Sequence, residues 1–497
     1  MPHPPFIMLD EKSEIPLYRQ IYETIRRSIL SGDFHSGRQL PASRLLAKQL
    51  VVSRMTVINA YDQLLAEGYL ESKAGAGTYV AEHLPENFLQ TPRVEPRKNE
   101  TETSPRILKL SKYGKNVLKE SRAVLRNSQA TPIVPFQHGL AAIDEFPFDI
   151  WTKLASKCYY ALRRDEFGYG EPAGFYPLRE AIAAHLKSAR AVNCTPEQII
   201  ITNGAQHAFD LISRILLEPK TEVWFENPGY FGAKQVFQSF EAKLVPVPVD
   251  KDGFDLAAAL KQSRNARLVY VTPSHQFPLG VTMCLPRRLK LLEWAKKAEA
   301  WIIEDDYDSE FRYEGRPLAS LQGLDRDGRV LYIGTFSKTI FSALRLGCLV
   351  VPKDLIEIFT AVRALGGLHS PLIDQATLAG FINEGHFARH IRRMRRLYEE
   401  RQEILIAEVK KHLAGKLEVK KLVSGMHVIG WLNDDVEDLV VAKKAAEFGV
   451  TVAAVSSHSL TKKERGGLIL GYTAINEKQI KKGVKQLAKA MESLSKK

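Results

Sequence analysis

Cysteine is scarce. The 497 residues hold four, Cys158, Cys194, Cys284 and Cys348. They lie far apart, with no Cys-x-x-Cys pair and no histidine at ligand spacing, so no zinc motif or disulfide framework is expected and a reducing compartment is. Long apolar runs are missing too. None approaches the ~20 residues that span a bilayer. The opening MPHPPFIMLDEK lacks the basic region of a signal peptide. A cytoplasmic protein with no membrane partner is predicted. Negative charge is in deficit, with 57 Asp+Glu against 70 Lys+Arg and a net charge of +13. Such an excess favours a polyanion, nucleic acid before an anionic membrane surface, although a solvated basic surface gives the same figure. No internal repeat is visible, which excludes a solenoid.

What is present is enough apolar content, 45%, to bury large cores, on a chain long enough for two or three domains. Residues 13–82 are helix-rich and end in a short glycine-containing β pattern. Residues 83–106 turn to Pro, Glu, Thr, Asn and charge without apolar period, the composition of a linker. Then ILKLSKYGKNVLKESRAVLRN has a helical rhythm and opens a second domain, residues 107–497. There strand candidates (IIITNG, TEVWFEN, KLVPVPV, RLVYVTP, AWIIEDD, VLYIGTF) alternate with helical stretches. That alternation predicts an α/β domain with a mainly parallel sheet. From about Leu397 a charged helix, Gly-rich strands and a basic helix predict a smaller α+β lobe.

In the first segment Leu17, Ile21, Ile25 and Ile29 form one helical stripe, stopped at Gly32. LPASRLLAKQL predicts a second helix with Ser43 as N-cap and Leu45, Leu46 and Leu50 facing inward. SRMTVINAYDQLLAEG predicts a third, capped by Ser53 and burying Val57, Ala60, Tyr61 and Leu64. Two helices joined by a tight turn make a helix-turn-helix. Arg54, Thr56 and Asn59 on the exposed first turns suit base edges and phosphates. YLESKAGAGTYVAE reads as a hairpin with Gly75 and Gly77 at its tip and Lys73 beside phosphate. A docking module could be built from the same elements. The string LPASRLLAKQLVVSRMTVINAYDQLLAEGYLESKAGAGTYVAE, however, resembles the winged helix of the GntR family from end to end. That resemblance implies double-stranded promoter DNA as partner, with contacts from Arg44, Ser53, Arg54 and Thr56, helped by Gly77 and Thr78. Val51 stands where the family often has a turn glycine.

Pyridoxal-5'-phosphate (PLP) makes definite demands on a protein. A lysine must form a Schiff base, a carboxylate must hold the pyridine nitrogen protonated, an aromatic must cover the ring, and donors must neutralise phosphate. Each has a candidate. Lys338 follows the strand VLYIG beside Thr335 and Ser337, with Arg345 seven residues on. Asp305 ends a buried strand 33 residues before Lys338, and Tyr307 would meet the phenolic oxygen. Gly204, Ala205 and Gln206 in TNGAQHAFDLI would offer N–H groups at a helix N-terminus. Tyr230 could stack on the ring. This order of motifs resembles fold type I aminotransferases. One chain joining both domains resembles the MocR/GabR subfamily of regulators. The fold class implied is an N-terminal winged helix-turn-helix, mainly α, plus an α/β aminotransferase fold type I with a smaller C-terminal α+β lobe. The resemblance also implies a head-to-tail, domain-swapped homodimer in which the aminotransferase half senses effectors.

Three departures stand out. The arginine that clamps a substrate α-carboxylate, best suited by its bidentate fork, is replaced by Ile469 in GGLILGYTA, with Arg465 near it in sequence. Tyr230 is followed by Phe231 and Gly232, with no arginine. The NPTG segment is altered to SHQFPLG, leaving His275 or Gln276 for the ring oxygen. Three readings follow: a sensor of PLP itself that controls vitamin B6 metabolism, as in the PdxR branch; a sensor of an amino acid or amine such as GABA as an external aldimine; and a working aminotransferase. The missing arginine favours the first and disfavours full transamination.

Overall fold

The computed structural model describes residues 7–10, 13–73, 77–84, 109–127, 133–315, 318–461 and 465–494. Gly75 and nearly all of the predicted linker lie outside them. The chain divides into two compact units, Met1–Leu108 and Lys109–Lys497.

The first unit packs α1 (Leu17–Leu30), α2 (Ser43–Leu50) and α3 (Arg54–Ala66) over the hairpin β1 (Leu70–Lys73) and β2 (Gly77–Val80). Its core is the predicted one in large part: Ile21, Ile25, Ile29, Leu46, Val57, Ala60 and Leu64 are almost wholly sealed, and Leu17 is half-buried. Two expectations fail. Leu45 is 52% exposed. Ser43 is the first helical residue rather than the cap, because Ala42 takes the extended cap conformation. The Ser43 hydroxyl instead accepts from Arg54 Nε at 3.4 Å, tying α2 to the start of α3. Ser53 does cap α3, its Oγ accepting from the Thr56 N–H at 3.1 Å. Val51, in the turn, adopts φ 56° and ψ 39°, the left-handed conformation that glycine takes without strain.

The second unit opens on α4 (Lys112–Asn127) and continues through α5 (Phe148–Ala161) and α6 (Tyr176–Arg190). Its large sheet has β3 (Ile199–Thr202), β4 (Glu222–Asn227), β5 (Lys243–Asp250), β6 (Gly253–Phe254), β7 (Leu268–Val271), β8 (Trp301–Asp306), β9 (Val330–Thr335) and β10 (Gly347–Val350). The spatial order is β3-β10-β9-β8-β7-β4-β5-β6. The central strands β5, β4, β7, β8 and β9 are parallel, while β10 runs antiparallel to both neighbours. Strands such as IIIT and VLYIGT are apolar nearly throughout because helices cover both faces. Those helices include α7 (Ala205–Leu216), α8 (Phe231–Ser239) and α9 (Leu285–Lys297). The Tyr113 ring of α4 lies 5.0 Å from that of Phe240, just past α8.

After α10 (Ile356–Leu365) and α11 (Leu372–Asn383), the long helix α12 (His386–His412) leads to the smaller lobe. It begins eleven residues before the predicted point. There β11 (Glu418–Val419), β12 (His427–Trp431), β13 (Ala453–Ala454) and β14 (Gly467–Gly471) form an antiparallel sheet in the order β11-β12-β14-β13. Helices α13 (Asp438–Glu447) and α14 (Glu477–Leu494) pack against each other beside it. No described helix is long and apolar enough to cross a membrane.

Candidate functional site

In the first unit the sequence places small or charged side chains on the exposed start of α3. Arg44, Ser53, Arg54 and Asn59 are exposed and Thr56 is half-buried. The hydroxyls of Ser53 and Thr56 lie 2.8 Å apart. Asn59 stands one and a half turns into the helix. In the hairpin Lys73 pairs with Gly77 across the strands. Its ammonium lies 3.3 Å from Glu71 Oε1 and 5.2 Å from the centre of the Tyr79 ring. Thr78 accepts the Leu40 N–H through its carbonyl, pinning the wing to the helices.

In the second unit a cavity of about 300 Å³ opens at the C-terminal ends of the parallel strands, the end where open α/β sheets bind ligands. Nine of the ten residues expected to hold cofactor border it: Ala205, Gln206, Tyr230, Asp305, Tyr307, Thr335, Ser337, Lys338 and Arg345. The tenth, Gly204, lies one step behind. Its backbone (φ 83°) is left-handed, and a Cβ there would stand 3.1 Å from the Arg345 guanidinium.

Asp305 sits near the end of β8. On β7 Tyr270 pairs with Ile303, so Asp305 lies diagonally beyond it on the same face. The Tyr270 hydroxyl donates to Asp305 Oδ2 at 2.8 Å, and Oδ1 is buried with no hydrogen-bond partner among the described residues. Burial, reinforced by Asp306 and Asp308, raises this carboxyl to about 7, against the pull of the Tyr270 hydroxyl and Lys338. Its neighbour Asp306 is tied into the protein, its Oδ2 accepting from Arg190 Nε at 2.8 Å and the Tyr332 hydroxyl at 2.6 Å. Of the two aspartates, only Asp305 borders the cavity.

Lys338 lies three residues past β9. Its ammonium donates to the Gly139 carbonyl at 2.7 Å. A Cβ on Gly139 (φ 75°) would come within 2.8 Å of that nitrogen. Burial holds the amine below its ordinary range, partly offset by Asp308 and Asp305. Such a shift frees a lysine for nucleophilic chemistry. Arg345 takes a left-handed backbone (φ 50°) and donates to the Asn203 carbonyl at 2.9 Å, beside the start of α7. Ser337 Oγ is buried and unpartnered among the described residues. Gln206 Nε2 donates to the Tyr230 hydroxyl at 3.3 Å.

The altered loop behaves differently from expectation. Neither His275 nor Gln276 borders the cavity. His275 Nδ1 is 2.9 Å from Asp308 and 3.0 Å from the Tyr307 hydroxyl, while Gln276 Nε2 donates to the carbonyls of Pro228 and Phe277. Phe277 forms the wall instead. With Ile469 and Ile429 it makes a small apolar cluster against Tyr230 and Tyr307. Ile469 is completely buried. Arg465 faces elsewhere: it donates to the Leu432 carbonyl at 2.8 Å and pairs with Glu418 at 3.0 Å.

Sequence reasoning missed Tyr270, Gly139, Phe277 and the imidazoles of His138 and His427, all at the cavity. Burial, with His458 and Lys338 nearby, holds His138 down to about 3. The donors converge on what a phosphorylated pyridine aldehyde needs: an amine, an unpartnered carboxylate oxygen, aromatic walls, and hydroxyl, guanidinium and N–H groups at a helix start.

Two family models match the chain. Residues 17–80 match the family of bacterial regulatory proteins of the gntR type, and residues 57–487 match aminotransferase class I and II. The chain is 40% identical over 488 residues to the "Probable rhizopine catabolism regulatory protein MocR" of Rhizobium meliloti, covering 98% of this chain and 96% of the relative. It is 32% identical to the pyridoxine biosynthesis transcriptional regulator PdxR of Corynebacterium glutamicum, covering 94% of each. Among solved structures, LysN, the α-aminoadipate aminotransferase of Thermus thermophilus, is similar with a TM-score of 0.70 and 26% identity, covering 78% of this chain and 98% of that one. An N-terminal gntR-type helix-turn-helix, an aminotransferase fold type I behind it, and full-length similarity to regulators place the chain in the MocR/GabR subfamily of transcriptional regulators.

Proposed function

We propose that this protein is a PLP-dependent regulator of promoter DNA, acting in the cytoplasm, in which the cofactor itself is the signal and vitamin B6 metabolism is the process controlled. The observation that carries the reading is Ile469. The position of the carboxylate clamp lies in a sealed apolar cluster, and Arg465 is turned away in an ion pair. An amino acid entering the cavity would forgo a charge-assisted hydrogen bond worth about 1.5–3 kcal/mol, whereas nine of the ten residues proposed to hold PLP border the cavity. Similarity to a pyridoxine biosynthesis regulator supports the same reading.

In this reading Lys338 is the Schiff-base lysine and Asp305 Oδ1 meets the pyridine nitrogen. Tyr307 meets the phenolic oxygen and Tyr230 covers the ring. Arg345, Thr335, Ser337 and the N–H groups of Ala205 and Gln206, beyond the Gly204 turn, hold phosphate. Bound there, PLP would supply an electrophilic aldehyde on an electron-withdrawing ring. Arg44, Ser53, Arg54, Thr56 and Asn59 contact DNA, with Lys73, Gly77 and Thr78 on the wing. The functional species is a head-to-tail homodimer. The almost fully exposed Tyr160, Tyr169 and Leu365 support a second copy covering them.

A second reading, an amine effector lacking a carboxylate, is favoured by the lowered Lys338 amine and by similarity to a protein named for rhizopine catabolism. Transcript levels from the regulated promoter separate the two in cells starved of vitamin B6 and then fed. The first reading expects a response to feeding alone. A response that follows an added amine at constant vitamin B6 selects the second.

A further inference from the structure

The net charge of +13 is not shared between the two units. Residues 1–108 hold 13 Lys+Arg and 13 Asp+Glu, so the winged-helix unit is neutral and the whole excess lies in residues 109–497.

Part of this excess is organised. On α12, Arg389, Arg392, Arg393 and Arg396 recur at i, i+3, i+4 and i+7, which puts them on one face of the helix. All four are exposed. None has a carboxylate within ion-pair distance among the described residues. Arg389 spends donors on the Glu384 carbonyl and His386, and Arg393 on the Glu145 carbonyl, which neutralise nothing. Arg392 and Arg396 have no hydrogen-bond partner among the described residues. Elsewhere on the same helix the pattern differs. Of the two arginines off the stripe, Arg395 is partly buried and donates to the Glu310 carbonyl and Arg401 is buried and donates to the Thr473 carbonyl, and further along Glu399 and Glu403 both reach Lys421. Like charges three and four residues apart repel, so the stripe destabilises an isolated helix. A phosphate backbone removes that repulsion. Seven residues rise about 10 Å, the span of roughly three phosphates of one strand. Guanidinium forks match phosphate oxygens.

We propose that this stripe is a second, sequence-independent contact for the duplex backbone, borne by the aminotransferase-like unit itself. DNA outside the operator would then add affinity that the winged helix does not supply.

The test uses the full chain and a random-sequence 60-base-pair duplex, with Arg44→Gln/Arg54→Gln as background to silence the winged helix. In that background residual binding should persist and weaken with salt. Adding Arg389→Gln, Arg392→Gln, Arg393→Gln and Arg396→Gln should flatten the slope of log K against log salt by about 3, near 0.9 for each phosphate no longer neutralised. Affinity at low salt should fall tenfold or more, while the far-ultraviolet circular dichroism spectrum stays that of the folded parent. Unchanged slope and affinity overturn the proposal. So does stripe-dependent binding to phosphatidylserine vesicles with none to the duplex, and so does loss of self-association with the slope intact. Failure of the winged-helix reading is separate: it shows as no effect of Arg44→Gln/Arg54→Gln on operator binding.

Discussion

The cavity turns on a few atoms whose neighbours are missing. Asp305 Oδ1 and Ser337 Oγ are buried without partners among the described residues, and such groups cost about 1–3 kcal/mol each unless something satisfies them. A cofactor does so. Replacing Lys338 by Ala should abolish the visible absorbance of bound PLP, and an unchanged spectrum would exclude it as the anchoring amine. Arg345→Gln should weaken PLP binding roughly 10- to 100-fold, the equivalent of removing a charge-assisted hydrogen bond of about 1.5–3 kcal/mol. Titration of the cofactor-free chain by absorbance measures it. Asp305 also sets a pH dependence. In the native chain its carboxyl keeps its proton up to about 7, whereas unfolded it releases near 3.8. Between those values the native state binds more protons, so this stabilisation is complete below about pH 4 and is lost as pH rises through 7. Cofactor-free Asp305→Asn should lose less melting temperature between pH 5 and 8 than the parent. Glu226 and Glu304, also raised to about 7 by burial, keep part of the slope in both. Identical slopes would contradict the assignment.

At the scale of elements, the turn between α2 and α3 holds a left-handed valine that is 89% exposed. Nothing packs on it, so Val51→Gly relieves strain without opening a cavity. The substitution should stabilise the chain by about 0.5–1 kcal/mol in denaturant unfolding, the left-handed penalty less the entropy glycine loses. Destabilisation would contradict the assignment of backbone strain to Val51. Ser53→Ala should cost about 1 kcal/mol through removal of the cap. Most elements were legible because their periodicity is strong: the stripe of α1, the buried face of α3 and the apolar strands of the large sheet. Ser43 misled because a serine before a helical run reads equally as cap or first residue, and only the conformation of Ala42 decides. Leu45 misled because an eight-residue helix has too few turns to define its apolar face. The cavity was half legible. Lys338, Asp305 and Arg345 follow strands whose ends the sequence marks. Tyr270 reads as one more core aromatic, and its role comes from register against β8. Gly139 and His138 come from a loop some 200 residues away from Lys338, which no local pattern connects to it.

The whole molecule joins a unit that presents an arginine-bearing helix start to a unit that presents a cofactor cavity. The central claim is that occupancy of the second by PLP changes what the first does to DNA. The most direct measurement is a DNA-shift titration at the regulated promoter, with the full chain stripped of PLP and then given PLP alone. PLP by itself should change the apparent Kd several-fold, and Lys338→Ala should no longer respond while still binding DNA. An identical titration with and without PLP, or a change that appears only when an amine accompanies it, would contradict the claim.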